Sequence, residues 1–274
     1  LVTVILSFLL ASTPLTIIND EKSVGELTRN DFTLTYVDSL FVDNQKLELE
    51  MNILSEKVYE KPTNAKLNDE GQIVQEKPGL ALDRIKFQKL FQDYFYDNNR
   101  KEIILPRQKV YPRVDSELLA EIREKEIGRY TTYFRKNNKE RSHNIVLAAE
   151  AINNHVVFPG KRFSFNNVVG KRTKERGYKR APVIVRGELA EDIGGGICQV
   201  SSTLYNAVEL KGVQIVERYS HSRSVPYVPP GRDATVSWYG PDFVFKNNYK
   251  QPLLIRASVD EGKMIIKILT SESL

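Results

Sequence analysis

The segment GGGICQVSSTLYNAVELKG, residues 194–212, constrains this chain more than any other. Three consecutive glycines admit backbone conformations that other residues avoid, and they let a ligand approach the backbone closely. After Cys198 the spacing turns helical. Val200, Leu204, Ala207 and Val208 fall on one face, and Gly212 serves as a C-terminal stop. A glycine loop therefore feeds a helix, with Cys198 at or just before its N-terminus. Unpaired N–H groups and the helix dipole at that end favour thiolate over thiol, and the thiolate is the nucleophile. The competing fate of a lone cysteine is a small buried hydrophobe. A glycine-rich loop entering a helix is a poor place for core packing and a good one for presenting a side chain.

Composition narrows the chemistry further. Cys198 is the single cysteine in 274 residues, so an intrachain disulfide and a multi-cysteine zinc site are excluded. Thiol redox chemistry lacks a resolving cysteine. Three histidines (His143, His155 and His221) leave few acid–base groups. No P-loop, dinucleotide fingerprint, zincin or nucleophile-elbow motif is present, which disfavours nucleotide, metalloprotease and α/β-hydrolase chemistry. No metal or cofactor is expected. With 41% hydrophobic and 27% charged residues the chain is globular in class, and its net charge of +5 says little about partners.

The chain reads as three segments. Residues 1–20 open with the uncharged run LVTVILSFLLASTPLTII, expected to be a signal peptide or membrane anchor of an exported chain, the alternative being a buried strand or helix of the fold. An exported chain that keeps one unpaired thiol runs an oxidation risk without structural return, which again favours a working Cys198. Residues 21–130 form a small α+β module. It has strand-like content at 33–41, two short strands about a turn at 68–71, a helix capped by Asp83 with one-sided Phe87, Leu90, Phe91, Tyr94 and Phe95, a strand at 102–106 and a helix near 116–125. Residues 131–274 form an α+β domain rich in antiparallel strands. A helix at 145–154 precedes β-like runs that include APVIVRG, GVQIVERY, ATVSWYG, PLLIRASV and KMIIKIL.

A thiolate needs a proton partner. His221 lies in the strand-like run VERYSHS and Asp233 at the start of another, GRDATVSW, so Cys198, His221 and Asp233 make a candidate nucleophile–base–orienter set. Ser222 and a backbone carbonyl are alternatives for the third member. His143, in a polar linker, reads as solvated, and His155 as a capping or surface group. Oxyanion and substrate contacts are expected from backbone at Gly195 and Gly196, from Gln199, and from Arg218 and Arg232. Ser201 and Ser202 read as first-turn helix residues. Residues 161–186 carry nine basic side chains against Glu175 alone, which suits an anionic envelope polymer or a carboxylate-bearing peptide better than nucleic acid. Tyr227, Trp238 and Tyr239 are candidates to line a groove.

The blocks FSFNNVVGKRTKERGY (163–178), IGGGICQVSSTLYNAV (193–208), IVERYSHSRSVPYV (215–228), GRDATVSW (231–238) and DFVFKNN (242–248) together resemble the VanW domain family across residues 139–270. The preceding region, with KPTNAKLNDEGQIVQEKPG, is similar to the peptidoglycan-binding-type module that accompanies such domains. The resemblance implies a bacterial envelope protein. It also implies L,D-transpeptidation of peptidoglycan stem peptides, with Cys198 as nucleophile and an L,D-carboxypeptidase outcome when water is the acceptor. The SHGCxR block of the better-known L,D-transpeptidases is absent, so the same chemistry would stand on a different scaffold. The alternative is a non-catalytic wall-binding or scaffolding protein. The expected partners are stem peptides and anionic wall polymers, with membrane contact only through the N-terminal segment.

Overall fold

The computed structural model describes residues 13–34, 38–97, 100–185 and 188–273. The end of the N-terminal apolar run is a core strand. β1 (Leu15–Asn19) pairs antiparallel with β2 (Lys22–Leu27), and Leu15 and Ile17 are fully buried. The sequence reading had extended a leader or anchor to residue 20. Alternating burial of β-branched and leucine side chains instead makes Leu15–Asn19 a half-buried strand. Residues 1–12 lie outside the described residues.

A 3-10 turn (Arg29–Phe32) leads to the hairpin of β3 (Thr33–Leu34) and β4 (Asp38–Val42), in the span expected to be strand. Asp43 caps α1 (Asn44–Val58) by accepting the N–H groups of Gln45 and Lys46. Then come β5 (Lys66–Leu67) and β6 (Ile73–Val74), the two short strands foreseen about the 68–71 turn. β7 (Gly79–Leu82) precedes α2 (Arg84–Asp97), which Asp83 caps through the Lys86 N–H as its sequence predicts. Phe87, Phe91, Tyr94 and Phe95 of α2 are all 0% exposed, and the Phe32 ring meets Phe91 edge-on at 4.9 Å. β8 (Glu102–Ile104) adds parallel to β1, and β9 (Arg107–Val110) pairs with β7.

These elements, except β5 and β6, make the first unit, Gln75–Asp115 together with the described residues up to Asn64. The second unit comprises Ala65–Val74 and the described residues from Ser116 onward. The expected division near residue 130 therefore falls at Asp115, and a short hairpin inside the first segment belongs to the second unit. The reason is pairing: β10 (Lys125–Tyr133), which follows α3 (Ser116–Ile122), runs antiparallel to the C-terminal strand over its whole length.

In the second unit α4 (Lys139–Ile152) starts earlier than the apolar pattern alone suggested. Asn138 caps it, accepting the Arg141 N–H at 2.9 Å, so the polar KERSHN stretch is its first two turns. There follow β11 (His155–Val157), β12 (Arg162–Ser164), α5 (Phe165–Val169), β13 (Arg180–Val185), β14 (Glu188–Ile193), α6 (Ile197–Val208), β15 (Val213–Glu217), β16 (Val244–Asn247), β17 (Leu253–Asp260) and β18 (Lys263–Thr270). Every strand pair in this unit is antiparallel, in the orders β10-β18-β17-β11, β12-β16-β15, β13-β14 and β5-β6. The fold is thus α+β, as the sequence predicts. No helix among the described residues is long and apolar enough to cross a membrane.

α6 is the buried centre of this unit. Every residue from Gln199 to Val208 is less than 9% exposed, including five polar side chains besides the tyrosine. A helix buried on all sides must satisfy its polar groups internally. α6 does so by gripping the irregular chain after β15. Ser201 donates to the Ala234 carbonyl at 2.6 Å, Ser202 accepts the Ala234 N–H at 2.9 Å, and Asn206 donates to the Arg232 carbonyl at 2.7 Å. This explains why ATVSWYG, which reads as a strand, is not one. Its backbone bonds go to α6 side chains, to Asn166 of α5 and to the Tyr219 and Pro241 carbonyls rather than to a neighbouring ladder.

Candidate active site

The turn before α6 is built from its three glycines. Gly196, the N-cap, has φ 106°, a left-handed conformation that side chains resist. A Cβ on Gly195 would stand 2.5 Å from the Ala181 carbonyl oxygen, so only glycine fits against that strand. Asn144 of α4 fixes the turn from below, donating to the carbonyls of Lys179 and Gly195 at 2.9 and 3.0 Å. Cys198 therefore sits in the first turn of α6, half-buried, at the edge of a cleft of about 910 Å³.

Three predicted residues converge there. His221 Nδ1 lies 2.6 Å from Asp233 Oδ2, and the same carboxylate oxygen accepts the His221 backbone N–H at 2.6 Å. The two side chains are only 6% and 8% exposed. With Nδ1 committed, Nε2 is the ring nitrogen left to act on the Cys198 thiol, and each group shifts the other's pKa. The sulfur also lies 3.8 Å from Thr235 Oγ1. His221 and Asp233 occupy irregular segments, not the two strands expected, and α6 holds the Asp233 segment through Ser201, Ser202 and Asn206.

The electrostatics follow from this geometry. Burial raises the Cys198 thiol, but the His221 hydrogen bond and charge, with smaller help from Val236 and Thr235, outweigh it and hold the group below its ordinary range. Burial lowers His221, but Cys198 and then Asp233 pull it above the usual imidazole value. Asp233 resists its own desolvation through the two hydrogen bonds from His221 and lies below the carboxylate range. Both shifts favour a thiolate–imidazolium pair backed by a carboxylate. Burial keeps the Tyr227 phenol protonated far above its normal range, so it is a neutral donor in the same cleft.

Other assignments change. Gln199 is 1% exposed and is not free to meet an oxyanion. Its amide nitrogen donates to Thr132 Oγ1 and the Tyr133 carbonyl, and its oxygen accepts from Arg141. Arg218 and Arg232 do not line the cleft. Arg218 Nη1 donates to the carbonyls of Gly231 and Asp233, while Arg232 binds Asn206 and Glu209, so both brace the Asp233 segment. Ser201 and Ser202 are buried grips on that segment. His143 Nε2 lies 3.0 Å from the Gly177 carbonyl oxygen, and His155 meets Phe163 edge-on in the core. Tyr227, Trp238 and Tyr239 do line the cleft. The residues missed by sequence reading are Arg141 and Arg172, both with cleft-lining side chains whose protonated forms burial disfavours. Their signal was only a polar helix start and a run of basic residues. Among described residues, no cluster of three or more His, Cys, Asp or Glu is placed to hold a metal ion.

The α+β scaffold thus brings a cysteine, a histidine and an aspartate together at a helix N-terminus, beside a cleft lined by Arg135, Arg141, Lys171 and Arg172. Comparison with known proteins places the scaffold. A family model described as VanW like protein matches residues 140–269. The uncharacterized protein YoaR of Bacillus subtilis (strain 168) is 54% identical over 258 residues, covering 94% of this chain and 85% of that protein. The vancomycin B-type resistance protein VanW of Enterococcus faecalis (strain ATCC 700802 / V583) is 28% identical over 134 residues, 47% of this chain and 49% of that relative. No solved structure matches. The chain belongs to the VanW-like family.

Proposed function

We propose that this protein is a cysteine acyltransferase of the bacterial cell wall, an L,D-transpeptidase acting on peptidoglycan stem peptides. The observation that carries the reading is the half-buried Cys198 beside the buried His221–Asp233 pair, with the thiolate favoured and the cleft walls cationic. One relative is named a vancomycin B-type resistance protein, and our reading sets this chain at the cell envelope outside the cytoplasm.

In the first half-reaction the Cys198 thiolate attacks the carbonyl carbon of the third stem residue. First-turn N–H groups of α6 stabilise the oxyanion. The C–N bond then breaks, His221 Nε2 gives its proton to the departing amine of the terminal D-alanine, and a thioester remains. In the second, a side-chain amine of a neighbouring stem attacks the thioester, loses its proton to His221 and expels the Cys198 thiolate. A third-to-third cross-link results. Water in place of the amine gives trimming. Asp233 holds the imidazole in one tautomer and stabilises its charged form throughout.

The test is incubation of the full chain with purified stem-tetrapeptide muropeptides, read by intact mass. An acyl adduct on Cys198 with released D-alanine, or cross-linked dimers, supports the reading. Retained binding with neither adduct, dimer nor trimmed product from a protein whose thiol alkylates readily overturns it in favour of wall binding.

A further inference from the structure

Arg172 is the unexplained charge of the cleft. Its stem packs on the glycine turn, with Cβ and Cγ 3.2 Å from the position a Gly194 Cβ would take, and its guanidinium lies 5.8 Å over the Phe165 ring. Both Nη1 and Nη2 are buried and have no hydrogen-bond partner among the described residues. The neighbouring cations are occupied: Arg141 donates to Gln199, and the Lys171 ammonium lies 5.2 Å over the Tyr239 ring. The nearby acids are occupied as well. Asp192 Oδ1 accepts the Ile193 N–H, and Asp242 accepts from Ser164, Asn166 and Phe243. A guanidinium stripped of water with two idle donor nitrogens is costly unless a ligand supplies acceptors. Its planar fork matches a carboxylate with two parallel bonds.

We propose that Arg172 reads a free carboxylate of the acyl-donor peptide beside the scissile bond, and so selects which stem peptides reach Cys198. The substrate identity rests on the acyl-transfer reading above; the carboxylate site itself stands on the geometry. Two carboxylates of a stem tetrapeptide have this chemistry: the terminal one on the leaving residue and, where present, one on the third side chain. Either places negative charge in a cleft also lined by Arg135, Arg141 and Lys171, with Asp192 as its acidic lining residue.

The test uses the full chain in two measurements. Calorimetry follows binding of four tetrapeptides to the Cys198→Ala protein: free acid, terminal amide, side-chain amide and double amide. Intact mass follows acylation of the protein with Cys198 intact by the same four. Amidation of the carboxylate that Arg172 reads is expected to weaken binding about tenfold to a hundredfold. The single amide that weakens binding identifies the source. Adding Arg172→Gln is expected to give the same weakening on the free acid and no further loss on amidation. Arg172→Lys, which keeps the charge but loses the fork, is expected to fall between and carries the test if Arg172→Gln does not fold. Equal binding of all four peptides, or full discrimination retained without Arg172, overturns the proposal. Arg172-dependent discrimination without any acyl adduct would sink the acyl-transfer reading and leave the carboxylate site standing. Acylation of all four at equal rates would do the reverse.

Discussion

The two units solve the problem of a core in opposite ways. In the first, α2 packs four aromatic side chains at 0% exposure against strands, and Thr33 is the one buried polar residue among those described there. The second buries Thr132, Asn144, Asn166, Gln199, Ser201, Ser202, Thr203, Asn206, Asp233 and more, most of them with named hydrogen-bond partners. Apolar packing is non-directional and tolerates a shift. A satisfied polar network fixes geometry, because each misplaced group then costs a hydrogen bond. The proposed chemistry sits where the directional core is.

Cys198→Ala sharpens this contrast most. It removes the proposed nucleophile, and acyl transfer should fall by at least about ten-thousandfold, as for other essential nucleophiles, while far-UV dichroism and the melting of the first unit stay unchanged. Measurable cross-linking by this variant would remove the sulfur from the mechanism.

His221→Ala and Asp233→Asn come next, with an expected loss of about a hundredfold to ten-thousandfold. Their separate signature is the pH profile of Cys198 alkylation. His221 holds the thiol below its ordinary value, so in the intact protein the rate should persist below the normal thiol range and fall only as pH drops through that lowered value. Without His221 burial is opposed only by the smaller effects of Val236 and Thr235, and the inflection should move upward. Asp233→Asn should lower the raised pKa of His221, so the imidazolium is lost at lower pH and the upper limit of the ion-pair window moves down. An unchanged profile in either variant would disconnect that residue from the thiolate.

What was legible in the sequence follows the same divide. The aromatic stripe of α2 and its Asp83 cap are periodic and local, so spacing alone placed them. The glycine turn and the Cys198 helix start were legible because glycine runs and helix periodicity are local signals too. The positions of His221 and Asp233 relative to Cys198 were guessed from residue type and order, but their supports were not. Gln199, Arg218 and Arg232 looked like substrate contacts because they are polar and near in sequence. They are structural because partners distant in sequence claim them: Thr132 holds Gln199, the Gly231 and Asp233 carbonyls hold Arg218, and Asn206 and Glu209 hold Arg232. Arg141 was hidden in a stretch whose polarity read as linker, and its helix became visible only through the Asn138 cap.

Phe91→Ala should break the first core without touching the second. Truncating a buried phenylalanine costs about 3–5 kcal/mol, and Phe91 meets the Phe32, Phe87, Tyr94 and Phe95 rings. Thermal or denaturant melting should report that loss, while the rate and pH profile of Cys198 alkylation under native conditions stay as they were. A shift in the alkylation profile would mean that the thiolate depends on the aromatic core.

Ser202→Ala is the smallest change and the finest test. It removes one hydroxyl and no charge. It leaves the Ala234 N–H, which Ser202 Oγ accepts at 2.9 Å, buried without that partner. The expected cost is about 1–3 kcal/mol. If the polar core serves mainly to hold the Asp233 segment, that cost should appear in function as well as stability: slower alkylation at acid pH and an inflection shifted upward, in the direction of His221→Ala but smaller. The control is Ala148→Gly on α4, at a fully buried position that makes no side-chain hydrogen bond, where the helix-interior penalty is about 1 kcal/mol. It should reduce stability by a similar order and leave the inflection in place. If both variants lose stability and neither moves the inflection, the hydroxyl of Ser202 stabilises the fold without steering His221, and the polar core would be a packing solution rather than a positioning device.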